Sequence, residues 1–293
     1  MKPRIVTPVL VLFLALLPAQ LYAAPELVPL KAGPMNALEL ESLEPFSESF
    51  VISGSSEHEG KVLHRGELVV SLYAARPALL DIRYPFPYDE YVWVLDGELI
   101  LTHEDGRSES YGVGDMLLVP KGFQGTWEMR GDHRELVVIE TRAYDSETSF
   151  WKFLGSTIKS WFRTSREMLS LPPDELREAE LTPAAPSAAD LELTGSDWEG
   201  VGSKNLYEGE FVAAMYSSPP TVVEFQRPFP YDEYVWMLDG ELVLTPKGGK
   251  PMRFGPGEGV LVPKGFMGSW ETRGNFREFI IIEREALERA DGS

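Results

Sequence analysis

The 293-residue chain contains no cysteine and only four histidines, His58, His64, His103 and His133. Without cysteine there are no disulfides, no thiolate metal ligands and no lipoprotein anchor, so the fold rests on its cores alone. Basic residues are also short: 27 Lys and Arg stand against 46 Asp and Glu, a formal charge of −19. Nucleic-acid binding needs a clustered positive face, which argues against such a partner; the balance reads as an acidic, solvated surface. Long apolar runs are lacking as well. The run Val9–Leu17 falls short of the ~20 residues that a spanning helix needs. It follows Lys2 and Arg4 and precedes Ala23 and Ala24, the pattern of a secretory signal peptide cleaved after Ala23. An uncleaved anchor is the competing reading. Export without disulfides suits a periplasmic or secreted protein that touches the membrane only through its signal.

What the chain does have is one unit written twice. PFPYDEYVWVLDG at 85–97 recurs as PFPYDEYVWMLDG at 228–240, and VPKGFQGTWEMRG at 119–131 recurs as VPKGFMGSWETRG at 262–274. The offset is 143 residues, and 34 of the 57 positions from Tyr84 to Glu140 are identical in the second copy. The copies therefore share a fold. Each unit holds short runs rich in β-branched and aromatic residues (Val69–Tyr73, Ala78–Arg83, Tyr91–Leu95, Glu98–Thr102, Asp115–Pro120, Glu135–Glu140). Asp96-Gly97, Asp105-Gly106, Gly112–Gly114 and Lys121-Gly122 read as the turns between them, and the spacing predicts a β-sandwich or barrel. Between the units, 148–170 sets Phe150, Leu154, Ile158, Trp161 and Met168 at helical spacing amid Lys152, Lys159, Arg163 and Arg166. That segment reads as an amphipathic helix lying on a barrel or on a membrane surface. LTPAAPSAA at 181–189 reads as an extended linker.

Both units resemble the cupin superfamily, in particular cupin domains of the (S)-ureidoglycine aminohydrolase type, over roughly 66–140 and 209–283. The family's first motif pairs two histidines with a glutamate and a glycine seven residues further on; here Glu90 and Gly97, and Glu233 and Gly240, keep that frame. Gly114, Pro120 and Gly122, with Gly257, Pro263 and Gly265, keep the frame of the second motif. The ligands are missing. The paired histidines fall on Tyr84 and Phe86 or on Arg83 and Pro85 in the first copy, and on Arg227 and Phe229 or Gln226 and Pro228 in the second. The second-motif histidine is Gly125 in one copy and Gly268 in the other. A first-row metal needs three or four converging N, O or S donors, so no metal and no other cofactor is expected. The departure also argues against ureidoglycine hydrolysis, which the resemblance ties to a manganese ion.

The resemblance implies an all-β protein of two tandem jelly-roll barrels: signal peptide 1–23, first cupin domain 24–143, helix and linker 144–190, second cupin domain 191–287 and tail 288–293. If Glu90 faces inward, strand alternation turns Val92 and Val94 inward and Tyr91 and Trp93 outward. The outward aromatics, with Tyr234 and Trp236, need a partner, which barrel-on-barrel packing or a homodimer supplies. Phe86 and Trp127, with Phe229 and Trp270, would occupy the space of the absent metal and imidazoles. Buried Glu90 and Glu233 are costly unless paired; Arg134 and Arg277, or Arg83 and Arg227, are candidate partners. Either such pairs close the barrels, or they line a pocket for a small polar ligand, with the carboxylate as acceptor or general base. The candidate ligand-binding residues are thus Tyr84, Phe86, Glu90, Trp127, Arg134, Arg227, Phe229, Glu233, Trp270 and Arg277. The Lys121 and Lys264 turns are expected in solvent. Three readings follow: a metal-independent small-molecule-binding or accessory protein, a metal-free or metal-dependent hydrolase, isomerase or lyase using Glu90 or Glu233 as acid–base, or a structural or interaction protein with filled barrels.

Overall fold

A computed structural model describes residues 25–147, 167–184, 193–194 and 200–291. The expected signal peptide and most of the amphipathic segment 148–170 lie outside the described residues. Two antiparallel sheets, one per repeat, account for nearly all of the remainder. In the first sheet, strands Glu90–His103 and Gly125–Glu140 pair along most of their length, flanked by Leu68–Ala75, Ala78–Ile82 and Met116–Val119. Strands Glu233–Pro246, Gly268–Glu283, Phe211–Ser218, Thr221–Glu224 and Gly259–Val262 repeat this arrangement in the second sheet. These are the two cupin barrels expected from the repeat.

One turn expected from the sequence is not a turn. Asp96-Gly97 lies inside the continuous strand Glu90–His103, where the pairing slips between Arg130, Arg134 and Glu135. Gly97 takes a φ of +73° there, and a β-bulge bends the strand instead of ending it. The bulge also switches the inward face from Glu90, Val92 and Val94 to Leu99 and Leu101.

The two barrels are laced together by arms. Strand Val28–Leu30, ahead of the first repeat, pairs with Gly259–Val262 of the second barrel. Leu169–Ser170, ahead of the second repeat, pairs with Met116–Val119 of the first. Each arm continues into a short helix, Ala32–Asn36 or Pro173–Glu178. The second of these starts with proline and carries Asp174 and Glu175 in its first turn and Arg177 in its last, charges that suit the helix dipole. Pairing thus crosses the division expected at 24–143 and 191–287.

Between the barrels lies the largest core. Tyr91, Trp93, Leu136 and Val138 meet Tyr234, Trp236, Phe279 and Ile281, joined by Leu30, Met35, Leu171 and Leu176 of the arms. Tyr91 and Tyr234 meet with ring centroids 5.1 Å apart, and Trp93 and Trp236 meet edge-to-face at 6.0 Å. Tyr91 Oη donates to Met116 Sδ at 2.9 Å and lies 3.1 Å from Tyr234 Oη. Each repeat therefore covers the other's outward aromatics within one chain, and no second copy is needed for that purpose.

Candidate functional site

Acid–aspartate clamps at the barrel junction account for the Asp of each repeated YDEY. Asp89 accepts hydrogen bonds from Lys121 N (2.8 Å), and across the junction from Tyr207 Oη (2.7 Å) and Glu210 N (2.6 Å). Asp232 accepts from Lys264 N (2.8 Å), and across the junction from His64 Nε2 (2.9 Å), Glu67 N (2.6 Å) and Leu68 N (3.2 Å). Burial alone would raise the Asp232 carboxyl, but these donors, His64 foremost, hold it below its ordinary value. Lys121 and Lys264 are not simply solvated: Lys121 Nζ lies 2.6 Å from Glu210 and Lys264 Nζ 2.6 Å from Glu67. These residues are joinery.

The neighbouring glutamates face the other way. Glu90 and Glu233 are each 7% exposed and sit at the start of the long strands whose Val92 and Val94, or Val235 and Met237, line the barrel cores. Phe86 stacks on Trp127 at 5.7 Å in the first barrel, and Phe229 on Trp270 at 6.3 Å in the second, as expected for the space the imidazoles would take. Tyr84 and Arg227 are exposed.

Arg134 and Arg277 do not pair with Glu90 or Glu233. Arg134 donates to the carbonyls of Met35 (3.0 Å) and Leu38 (2.7 Å), and Arg277 to those of Leu176, Arg177 and Ala179. Both guanidinium groups cap the C-terminal ends of the arm helices, where carbonyls lack partners. Alternation is the cause: Trp127 and Met129 face inward, so His133 and Glu135 do too, and Arg134 faces out.

The residues that do join Glu90 are these inward neighbours. Glu135 lies directly opposite Tyr73, and His133 Nε2 lies 2.8 Å from Glu135 Oε2, with both side chains buried. His133 Nδ1 has no hydrogen-bond partner. Burial, then the field of Glu135, pushes the Glu90 carboxyl well above the usual carboxylate range. Burial, Glu135 and Glu90 likewise push the Tyr73 hydroxyl up. The second barrel repeats the set with Glu233, Glu278 and Tyr216, but Phe276 stands where the first barrel has His133. Burial and the neighbouring Glu233 push the Glu278 carboxyl up. Tyr73 and Tyr88 in the first barrel, and Tyr216, Tyr231, Trp270 and Ile280 in the second, are partly buried.

The metal that a typical cupin holds does not fit this donor set. Gly125 and Gly268 take φ values of +150° and +152°, and a Cβ at either would collide with the carbonyl oxygen of Thr102 or Thr245. No imidazole can stand there on this backbone. Among the described residues no three His, Asp or Glu side chains converge as metal ligands.

Comparison with known proteins agrees with this architecture. The EutQ-like cupin domain family matches residues 80–134 and 208–278. A protein of unknown function from Pseudomonas syringae pv. tomato str. DC3000, of the DUF861 family, is 18% identical, with 88% of this chain and 99% of that chain covered and a TM-score of 0.60. A cupin 2 conserved barrel domain protein from Leptotrichia buccalis is 17% identical over 79% of this chain and 91% of its own, with a TM-score of 0.49. Protein YlbA from E. coli, also of the DUF861 family, is 11% identical over 89% of this chain and 92% of its own, at 0.46. The first of these likenesses supports the fold and nothing finer. No curated protein matches the chain.

Proposed function

We propose that the chain, whose two barrels match the EutQ-like cupin domain, is a metal-independent protein that binds a small polar molecule inside those barrels. One observation carries the reading: in each barrel two buried, mutually repelling carboxyls, Glu90 with Glu135 and Glu233 with Glu278, sit in an apolar core rich in aromatic side chains. An ionisable group kept at such a cost inside an apolar barrel is a functional-site marker. In the first barrel the ligand meets Glu90, Tyr73 and the His133–Glu135 pair. The resemblance to ureidoglycine aminohydrolase-type domains is read as ancestry, not activity, because the ligand positions of that type hold Tyr84 and Phe86, or Arg83 and Pro85, and Gly125 instead.

The His133–Glu135 pair favours a second reading, acid–base catalysis in the first barrel alone. An imidazole bonded to a carboxyl, with its other nitrogen unpartnered, can pass a proton to or from a bound molecule. A thermal-shift screen of polar metabolites against the parent, Glu90→Gln and Glu135→Gln tests both readings. Binding predicts a ligand whose stabilisation shrinks in both variants; catalysis predicts retained stabilisation with lost turnover in Glu135→Gln. A screen in which no compound shifts the parent, with both variants folded, would leave only a structural role. We also propose that the mature chain is exported and begins at Ala24, which N-terminal sequencing of secreted or periplasmic material checks.

A further inference from the structure

The two barrels differ at one inward position, and that difference identifies a ligand chemistry. In the first barrel the Glu135 carboxyl is served by a nitrogen, His133 Nε2, at 2.8 Å. In the second barrel the equivalent carboxyl belongs to Glu278, only 3% exposed, and the equivalent of the histidine is Phe276, which carries no donor. Glu278 Oε2 is correspondingly left buried with no hydrogen-bond partner. An oxygen in that position costs free energy unless something outside the chain satisfies it.

Among the described residues none donates to that oxygen. No lysine or arginine is among the buried residues described, and no histidine follows His133. Arg273 is taken by Glu241 and Glu271, and Arg277 by the arm carbonyls. The core of this barrel is aromatic: Phe225 meets Phe229 (5.3 Å) and Trp270 (6.3 Å), and Phe229 meets Tyr231 (5.1 Å) and Trp270 (6.3 Å). Aromatic faces attract ammonium groups, and a carboxylate receives their N–H bonds. Ile280 and Trp270, which pack against the core of this barrel, are only partly buried.

We infer that the second barrel binds a small primary ammonium ion, whose nitrogen takes the place against Glu278 that the His133 nitrogen takes against Glu135. This deepens the binding reading above and extends it to the second barrel. A primary ammonium brings several N–H donors to the orphaned oxygen and a positive charge to the pair of acids. Glu278 must surrender a proton to the solvent when the cation binds, so affinity rises with pH. The titratable groups facing it are Glu233 from the adjoining strand and Tyr216 from the strand on its other side.

Saturation-transfer NMR of methylammonium with the full chain tests this, with tetramethylammonium and acetamide as the probes that lack N–H charge or any charge. The expected result is saturable binding of methylammonium, stronger at pH 8 than at pH 5, and weaker binding of the other two. Glu278→Gln, a near-isosteric change, should weaken methylammonium by about tenfold or more, the loss of one hydrogen bond to a charged group. Phe276→His, which supplies the missing nitrogen from within, should abolish binding while the variant stays folded by circular dichroism. Absence of saturable methylammonium binding to the parent, or binding unchanged in Glu278→Gln, overturns the inference. If the first-barrel ligand still responds to Glu90→Gln while methylammonium fails, only this inference falls; if both fail, the binding reading falls with it.

Discussion

Replacing Asp232 by alanine probes how the two barrels are held together. Its carboxylate is 2% exposed and accepts four hydrogen bonds, three of them from groups of the other barrel (His64, Glu67 N and Leu68 N). The substitution leaves those donors without an acceptor in a buried junction. Each stranded donor costs about 1–3 kcal/mol, and the terms are not additive. A loss of about 4 kcal/mol corresponds to a Tm lower by about 10 °C for a chain of this size. Because the folded pKa of Asp232 lies below its unfolded value, its contribution is present in full above the ordinary carboxylate range and lost as pH falls through the folded pKa. Calorimetry of parent and Asp232→Ala should therefore show the full gap at pH 7 and a closing gap below about pH 4. Asp89→Ala, with three acceptor contacts of the same kind, should cost nearly as much. A loss below about 1 kcal/mol at pH 7, or a gap that widens on acidification, would refute the clamp.

Tyr91→Phe should cost about 1 kcal/mol by stranding the Tyr234 hydroxyl, whereas Tyr91→Phe with Tyr234→Phe should cost less than the sum, read from a double-mutant cycle in urea. Arg277→Met removes the donor to three arm carbonyls and should open residues 167–184 to limited proteolysis, with a stability loss of about 2 kcal/mol. Gly125→His should lose more than about 2 kcal/mol through backbone strain and collision with Thr102, and gain no stoichiometric zinc by titration. Glu90 is held above its unfolded pKa, so folding takes up protons and stability falls as pH rises through that window. Glu90→Gln, neutral at every pH, should thus be more stable than the parent at pH 8 and level with it near pH 4 in parallel thermal melts.

Much of this was readable before any coordinates. The gapless repeat and both motif frames pointed to two barrels, and alternation from Glu90 put Tyr91 and Trp93 on the junction, where they lie. What was missed came from phase. Arg134 was set beside Glu90 by analogy with buried ion pairs, yet the alternation that turned Trp127 inward continues to His133 and Glu135 and sends Arg134 outward. The signal was present in DHRELVVIE at 132–140. The Asp96-Gly97 bulge was hidden because a bulge and a tight turn call for the same left-handed glycine. The exchanged arms and the aspartate clamps depend on segments far apart in the chain, which no local pattern encodes; only the twofold recurrence of Asp89 and Asp232 hinted at a shared task.

The central claim is that the barrels bind their ligand without a metal. Elemental analysis of a protein sample already shown by thermal shift to respond to its ligand tests it most directly. The account predicts full response with far less than one manganese, iron, nickel or zinc ion per chain. One ion per barrel, lost together with the response on chelation, would contradict it.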